Sequence, residues 1–296
     1  MLFRSRTGDL EQPLTLKSGD RIHLTVRNTA LPGVRSTSVN YDGFVDDVRV
    51  GDSVVMDNGT FRLRILAKGP NHVECEALND AVLGSRRHIN LPGVRVSLPA
   101  LTDKDRADVA LGLELRVEMI AQSFVRDPGD VEELRGLCRK AASPPFLVAK
   151  IEHQLAVNQL DSIARAADAV MVARGDLGIE CPYAELPIIQ RRIVKKCHSV
   201  GRPVIVATQM LESMIENPLP TRAEITDVAN AVYEQADAIM LSGETTVGKH
   251  PLACIEVMDN IARRIERSGG AGYESAVETG APRPKLVRNA VQLAEI

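Results

Sequence analysis

Polar residues follow short apolar runs in the second half of the chain, and their types are those of charge-stabilising catalysis. The run FLVAKIE carries Lys150 and Glu152, AVMVARGD ends in Asp176, and PVIVATQ carries Thr208. A lysine, two carboxylates and a hydroxyl together are able to hold a metal ion and an anionic substrate. The pattern therefore predicts an enzyme rather than a purely structural protein.

The charged residues each have a structural alternative. Lys150 and Glu152 lie two positions apart on a predicted strand, so their side chains share one face, and they form either a functional pair or a structural ion pair. Glu152 and Asp176 follow consecutive strands, which suits Mg²⁺ because this ion keeps several waters and binds few protein carboxylates. Alternatively, Asp176 only caps the following helix.

The remaining candidates are a glycine-bracketed segment and several hydroxyls. The segment 175–178, GDLG, is predicted to form a turn whose exposed N–H groups would cradle a carboxylate or phosphate, although such tetrapeptides are common in ordinary turns. Thr208 is either a hydrogen-bond donor to the substrate or a structural residue. Ser123, Ser242 and Glu244 are weaker candidates of the same kind. The set as a whole fits phosphoryl transfer and, equally, enolate chemistry.

Predicted apolar strands alternate with predicted helices along this part of the chain, and these elements must position the residues named above. Such alternation predicts a parallel sheet, and the residues at the carboxyl ends of barrel strands converge on one site. We expect an α/β fold, an incomplete (β/α)8 TIM-type barrel of about five units over 99–268. The predicted strands are 118–125, 146–151, 169–173, 203–208 and 238–242, and the predicted helices are 130–142, 155–166, 185–200, 211–216, 222–235 and 251–267.

The first hundred residues have a different pattern of apolar and polar residues. Short alternating segments such as RIHLTVRN, SVVMDNG, FRLRILAKG and HVECEALN break at Gly, Asn, Asp or Pro, which predicts a small all-β barrel or sandwich over 8–98. At the other end, 269–296 begins with a Gly/Ala/Ser-rich stretch that predicts a linker and then an amphipathic helix at 285–296.

Composition narrows the function classes. The 296 residues are 44% hydrophobic and 25% charged with a net charge of −3, which is ordinary for a globular protein and argues against nucleic-acid binding. No run has the length of a membrane helix or signal peptide, so we expect no membrane association. The five cysteines are scattered, which favours a reducing cytoplasm.

Several longer motifs resemble the pyruvate kinase family. They are FLVAKIEHQLAVNQLDSI, MVARGDLGIE, GRPVIVATQMLESMIENPLPTRAEITDVANAV and DAIMLSGETTVGKHPL, in the family's order. LGSRRHINLPGVRVSLPALTDKD and AQSFVR extend the resemblance through the earlier half, so that it covers nearly the whole chain.

The resemblance implies transfer of a phosphoryl group from phosphoenolpyruvate to ADP, giving pyruvate and ATP, with Mg²⁺ (or Mn²⁺) and usually K⁺. By position, Lys150 matches the catalytic lysine, and Glu152 and Asp176 match the magnesium ligands. Gly175, Asp176 and Thr208 match the phosphoenolpyruvate contacts, and Thr208 lies where the enolate is protonated. Ser123 is included among the predicted substrate-binding residues.

The resemblance also assigns the rest of the chain. Residues 8–98 match a small β-domain that closes over the site, and 1–7 match a remnant of the third barrel strand. Arg6 matches a nucleotide-contacting arginine, whereas Arg87 stands where the family more often has a lysine, with different geometry. The family implies ADP/ATP as partners and a homo-oligomer.

Departures from the family lead to further expectations. The first barrel strands, with the K⁺ ligands, and most of the carboxy-terminal domain have no counterpart here. An open five-stranded sheet would have unpaired edges, so we expect low stability or self-association. We expect weak binding of Mg²⁺ and oxalate-type anions and poor or no turnover by the chain alone. The alternatives are an inactive pyruvate kinase-like protein and a Mg²⁺-dependent pyruvate-enolate lyase or aldolase on a related barrel.

Overall fold

The computed structural model describes residues 5–272 except 28, 30, 95 and 140. It divides into two compact units. The first contains the described residues up to Thr102 together with Ile179–Pro182, and the second contains the described residues of Asp103–Gly178 and those from Tyr183 onward. The predicted carboxy-terminal linker and helix lie, apart from residues 269–272, outside the described part of the chain.

The first unit is dominated by antiparallel β-structure, as its alternating sequence predicts. In Phe61–Lys68, for example, Phe61, Leu63 and Ile65 are buried while Arg62 and Arg64 are exposed, because successive strand residues face opposite sides. The strands are β1 (Leu14–Leu16), β2 (Arg21–Thr25), β3 (Ser36–Ser38), β4 (Ser53–Met56), β5 (Phe61–Lys68), β6 (His72–Ala77), β7 (Ala81–Leu83) and β8 (Ile89–Asn90), with a short helix α1 (Phe44–Asp47). Six of them form a sheet in the order β3-β2-β6-β5-β4-β8, and β1 pairs with β7.

The second unit is built on one parallel sheet, a partial TIM-type barrel. Its strands are β9 (Met119–Gln122), β10 (Phe146–Ile151), β11 (Ala169–Ala173), β12 (Val204–Ala207) and β13 (Ala238–Met240), in the spatial order β13-β12-β11-β10-β9. The five strands confirm the predicted number of βα units. Every residue of the central strand β11 is buried, whereas Met119 on the edge strand β9 is 62% exposed.

Helices connect and cover these strands. They are α2 (Asp103–Glu114), α3 (Pro128–Cys138), α4 (Gln154–Asn158), α5 (Leu160–Ala166), α6 (Arg174–Glu180), α7 (Leu186–Ser199), α8 (Arg222–Tyr233), α9 (Gly243–Thr246) and α10 (Pro251–Glu266). Two have clear start signals: the Asp127 side chain caps α3, and Thr221 with Glu224 forms a capping box on α8. Within the described residues, no helix has the length and apolarity needed to span a bilayer.

Some element predictions are wrong in detail. The helix predicted over 155–166 is interrupted at Gln159, which separates α4 from α5. The segment predicted as helical at 211–216 is a single 3-10 turn, Glu212–Ile215. Helix α2 was not predicted, because it buries only Val109 and so carries no apolar periodicity.

Candidate active site

Lys150 lies near the carboxyl end of β10 and is held from two sides. Its Nζ donates a hydrogen bond to Ser123 Oγ at 2.9 Å, just beyond β9, and lies 2.5 Å from Glu152 Oε1. The lysine side chain is 20% exposed, so its ammonium group is mostly withdrawn from water but not sealed. The strand register thus brings together the predicted lysine, serine and glutamate.

Glu152 is fully buried, and its two oxygens have different surroundings. Oε2 accepts a hydrogen bond of 2.9 Å from the backbone N–H of Phe124, a residue that adopts a positive φ of 53°. Oε1 has the ammonium group of Lys150, 2.5 Å away, as its only partner among the described residues. Each carboxylate oxygen can accept more than one partner, so Glu152 keeps acceptor capacity for a ligand.

Burial raises the pKa of Glu152, the positive charge of Lys150 lowers it, and the negative charge of Asp176 raises it again. The net direction is upward. The charge of Asp176 acts on Glu152, so the two carboxylates lie close enough to interact electrostatically. Within the described residues, no group of three or more His, Cys, Asp or Glu side chains converges on one point. Two carboxylates alone suit an ion that completes its shell with water and substrate.

The structure corrects the prediction for the GDLG segment. These residues are not a turn but part of helix α6, which starts at Arg174 directly after β11. Asp176 is therefore the third residue of a helix and not its cap. The N–H of Gly175 is also occupied, since it donates a hydrogen bond of 2.8 Å to Thr208 Oγ1. The predicted cradle of exposed N–H groups thus lacks one of its members.

Thr208 follows β12 in a strained conformation. Its φ is 69° and that of Gln209 is 54°, values that a β-branched residue such as threonine rarely adopts. Each such residue costs about 1–3 kcal/mol and persists only where its surroundings enforce it. The strain and the hydrogen bond from Gly175 together fix the position of the Thr208 hydroxyl.

Arg174 supplies that enforcement, and the sequence had given it no role. The residue is only 6% exposed. Its Nη2 donates to the carbonyl oxygens of Thr208 at 2.7 Å and Gln209 at 3.1 Å, and its Nη1 donates to Asp227 Oδ1 at 2.7 Å. An arginine at the end of an otherwise apolar run is the signal that could have identified it, because such a group is buried only when paired.

Glu244 and Ser242 do not join this group. The Glu244 side chain is fully buried, and its oxygens accept hydrogen bonds from the N–H groups of Leu211 at 3.0 Å and Ser242 at 2.8 Å. Both oxygens therefore support local backbone, and the structural alternative describes Glu244 best.

The two predicted nucleotide-binding arginines lie in the first unit. Arg6 forms an antiparallel bridge with His88, and the carbonyl of Arg87 accepts a hydrogen bond of 2.9 Å from the N–H of Thr7. The two arginines are thus on adjacent backbone segments. The Arg87 guanidinium forms an exposed ion pair with Asp57 at 3.0 Å, so it carries a counter-ion already.

The fold and the site define a class: a TIM-type barrel with a lysine, two carboxylates and a hydroxyl after its central strands. The chain belongs to the pyruvate kinase family, because the family model "Pyruvate kinase, barrel domain" matches residues 4–255.

Curated relatives and a solved structure agree with this assignment. The chain is 45% identical over 264 residues to plastidial pyruvate kinase 3 of Arabidopsis thaliana, covering 89% of this chain and 46% of the relative. It is 40% identical over 263 residues to the pyruvate kinase of Borreliella burgdorferi, covering 88% and 55%. It matches the crystal structure of a pyruvate kinase from Cryptosporidium parvum with a TM-score of 0.92 and 36% identity, covering 99% of this chain and 62% of that one. The chain spans about half the length of the curated relatives it matches.

Proposed function

We propose that this chain carries the phosphoryl-transfer chemistry of a pyruvate kinase, with phosphoenolpyruvate as donor and ADP as acceptor. The observation that supports it most is the position of Lys150, whose ammonium group lies 2.9 Å from Ser123 Oγ and 2.5 Å from a buried carboxylate. A cation fixed in this way stabilises the charge of a transferring phosphoryl group without reorganising.

The neighbouring residues take complementary roles in this proposal. Ser123 orients the lysine and contacts the phosphoryl group, and Gly175 and Asp176 border the substrate. Thr208 protonates the enolate that remains after transfer. Its Oγ1 already accepts a hydrogen bond from Gly175, which leaves the hydroxyl proton available as the donor, since a hydroxyl both accepts and donates.

Glu152 and Asp176 would hold a magnesium or manganese ion. The fit rests on the buried Glu152 oxygen whose only partner among the described residues is the Lys150 ammonium group, and on the electrostatic influence of Asp176 on the same carboxylate. Such an ion neutralises the charge that develops on substrate oxygens. No residue of this chain is assigned to K⁺.

Three further assignments complete the proposal. Arg6 and Arg87 contact the nucleotide, the protein works as a homo-oligomer, and it is located in the cytoplasm. The cytoplasmic assignment is supported by the free state of all five cysteines, each of which is buried.

The test is pyruvate formation by the full 296-residue chain, measured with and without ADP in the presence of Mg²⁺. We expect ADP-dependent pyruvate formation that is slow at best, is lost in Lys150→Met and is retained in Lys249→Met, a matched change at an exposed, ion-paired lysine. Pyruvate released equally without ADP would instead indicate a lyase. Absence of pyruvate in both assays, with Mg²⁺-dependent oxalate binding intact, would indicate a binding protein.

A further inference from the structure

A groove lies between the α4–α5 junction and helix α7, on residues that the proposed reaction does not use. Its volume is about 590 Å³, within the range of small-molecule sites. Two of its lining residues, Asn158 and Leu160, flank Gln159, which interrupts the helix and separates α4 from α5. The lining includes Leu160, Ile188, Arg192, Lys195, Lys196 and Ser199, and we call it the α5–α7 groove.

One face of α7 supplies most of this lining. Positions 188, 192, 195 and 199 are spaced four, three and four residues apart, so they form one stripe along the helix. The opposite face, with Ile193, Val194 and Cys197, is buried. Positions 188, 192 and 195 of the stripe are therefore turned toward solvent by the packing of α7, whereas Ser199 at its end is buried.

The cations of the groove differ in whether they have partners. Lys196 is paired with Asp161 at 2.8 Å, and Arg191, also on the lining, donates to Glu234 at 3.1 Å. Arg192 and Lys195 are exposed and make no hydrogen bond or ion pair with any described residue. Two adjacent cations thus remain available in the middle of the α7 stripe, while the acidic residue that lines the groove, Asp161, is already neutralised.

The remaining lining combines two apolar residues, Leu160 and Ile188, with the polar residues Asn158 and Ser199. Leu160 is 2% exposed and Ile188 is 62% exposed. The hydroxyl of Ser199 donates to the carbonyl of Lys196 at 2.8 Å, so its oxygen keeps acceptor capacity. A ligand for this surface needs a compact dianion for the cations and an apolar body for Leu160 and Ile188.

We infer that the α5–α7 groove binds an organic phosphate monoester. Its phosphate would lie between Arg192 and Lys195, because charge-assisted hydrogen bonds from an arginine fork and a lysine suit phosphate oxygens. Its organic body would cover Leu160 and Ile188. A charged face of a helix is most often only solvated surface. Here, however, the two unpaired cations lie beside the apolar side chains of a groove, and solvation alone does not require that arrangement. A nucleic acid fits less well, because two free cations give little of the phosphate neutralisation on which such binding depends.

The probe is phenyl phosphate, which carries a dianion on a small apolar body. Binding to the full chain is measured by calorimetry without Mg²⁺ at low ionic strength, with inorganic phosphate and phenol as the separate halves. We expect phenyl phosphate to bind at least about tenfold more tightly than either half, since both features of the groove contribute. Affinity should fall at least about tenfold in the double variant Arg192→Gln/Lys195→Gln and with rising salt.

The controls separate this site from the candidate active site. Arg264→Gln/Arg267→Gln removes the same charge from exposed positions at the end of α10 and should leave the affinity unchanged. Lys150→Met should also leave it unchanged, whatever its effect on pyruvate formation.

Three results would overturn the inference. The first is binding that is lost in Lys150→Met but kept in the groove variant. The second is equal affinity for phenyl phosphate and inorganic phosphate. The third is no detectable binding of phenyl phosphate to the unmodified chain. If the groove variant then also differs from the unmodified chain in sedimentation mass, the groove is an interface between copies.

Discussion

Replacing Arg174 should both destabilise the barrel unit and abolish anion binding, because one guanidinium supports the strained residues that carry the Thr208 hydroxyl. In Arg174→Met the carbonyls of Thr208 and Gln209 lose their charged donors, and Asp227 loses its partner. Removing one side of a buried charged pair costs about 3–5 kcal/mol. Asp227 is 37% exposed, so water compensates part of that loss and we expect the lower end.

A second contribution comes from the backbone strain. Thr208 and Gln209 each store about 1–3 kcal/mol in their positive φ values. Without the guanidinium we expect both residues to relax, which moves the Thr208 hydroxyl away from the N–H of Gly175. Arg174→Lys keeps the positive charge but not the forked set of guanidinium donors. It should therefore recover part of the stability but little of the Thr208 and Gln209 backbone conformation.

The assay combines urea unfolding with calorimetry of Mg²⁺-dependent oxalate binding under conditions where each variant is folded. Arg135→Met is the matched control, because Arg135 also donates to backbone, the Ala166 carbonyl at 2.6 Å, and to Asp168 at 3.2 Å. It should lose about 1–2 kcal/mol and keep oxalate binding. A loss of less than about 1 kcal/mol in Arg174→Met, with oxalate binding unchanged, would refute the reasoning.

Three other outcomes follow from the contacts. Burial raises the pKa of Glu152, so this residue contributes stability below about pH 4.3, and the contribution is lost as pH rises through the raised pKa. Glu152→Gln should remove this pH dependence, which acid–base titration of stability would show. It should also remove the Mg²⁺-dependent oxalate binding, which calorimetric titration would show. Burial acts to raise the pKa of Asp47, but hydrogen bonds from Tyr41 and Ser97 outweigh it and lower the pKa. The stability that results is present above about pH 3.9 and is lost as pH falls further. Asp47→Asn should therefore lower the free energy of unfolding by about 1–2 kcal/mol, measured with urea at neutral pH. Thr221→Ala should lower the free energy of unfolding by about 1 kcal/mol because it removes the α8 capping box. A variant that is as stable as the unmodified chain in differential scanning calorimetry would contradict this prediction.

The parts of the fold that sequence predicts well are those set by local burial. Strands β10 and β11 have the predicted bounds, because continuous apolar runs are the pattern of strands buried on both faces. Helix α6 was mistaken for a turn, since its glycines argue for local flexibility whereas its docking beside Thr208 is a tertiary effect.

The candidate site shows the same division. Lys150, Ser123 and Glu152 are brought together by strand order and register, which alternation and a parallel sheet already imply. The role of Arg174 depends on partners 34 to 53 residues away, and no local pattern encodes them. The positive φ of Thr208 contradicts its own propensity and is imposed by those same distant contacts.

The span of the Arg174 contacts also has a consequence for biosynthesis. Translation makes β11 before β12, and the carboxylate of Asp227 follows 53 residues after the arginine. A nascent chain that ends before α8 therefore contains an arginine whose buried position cannot yet be neutralised, and its Thr208 segment lacks full support. The supported conformation of Thr208 is thus acquired only by chains long enough to include α8, so a prematurely terminated product should lack the proposed anion site.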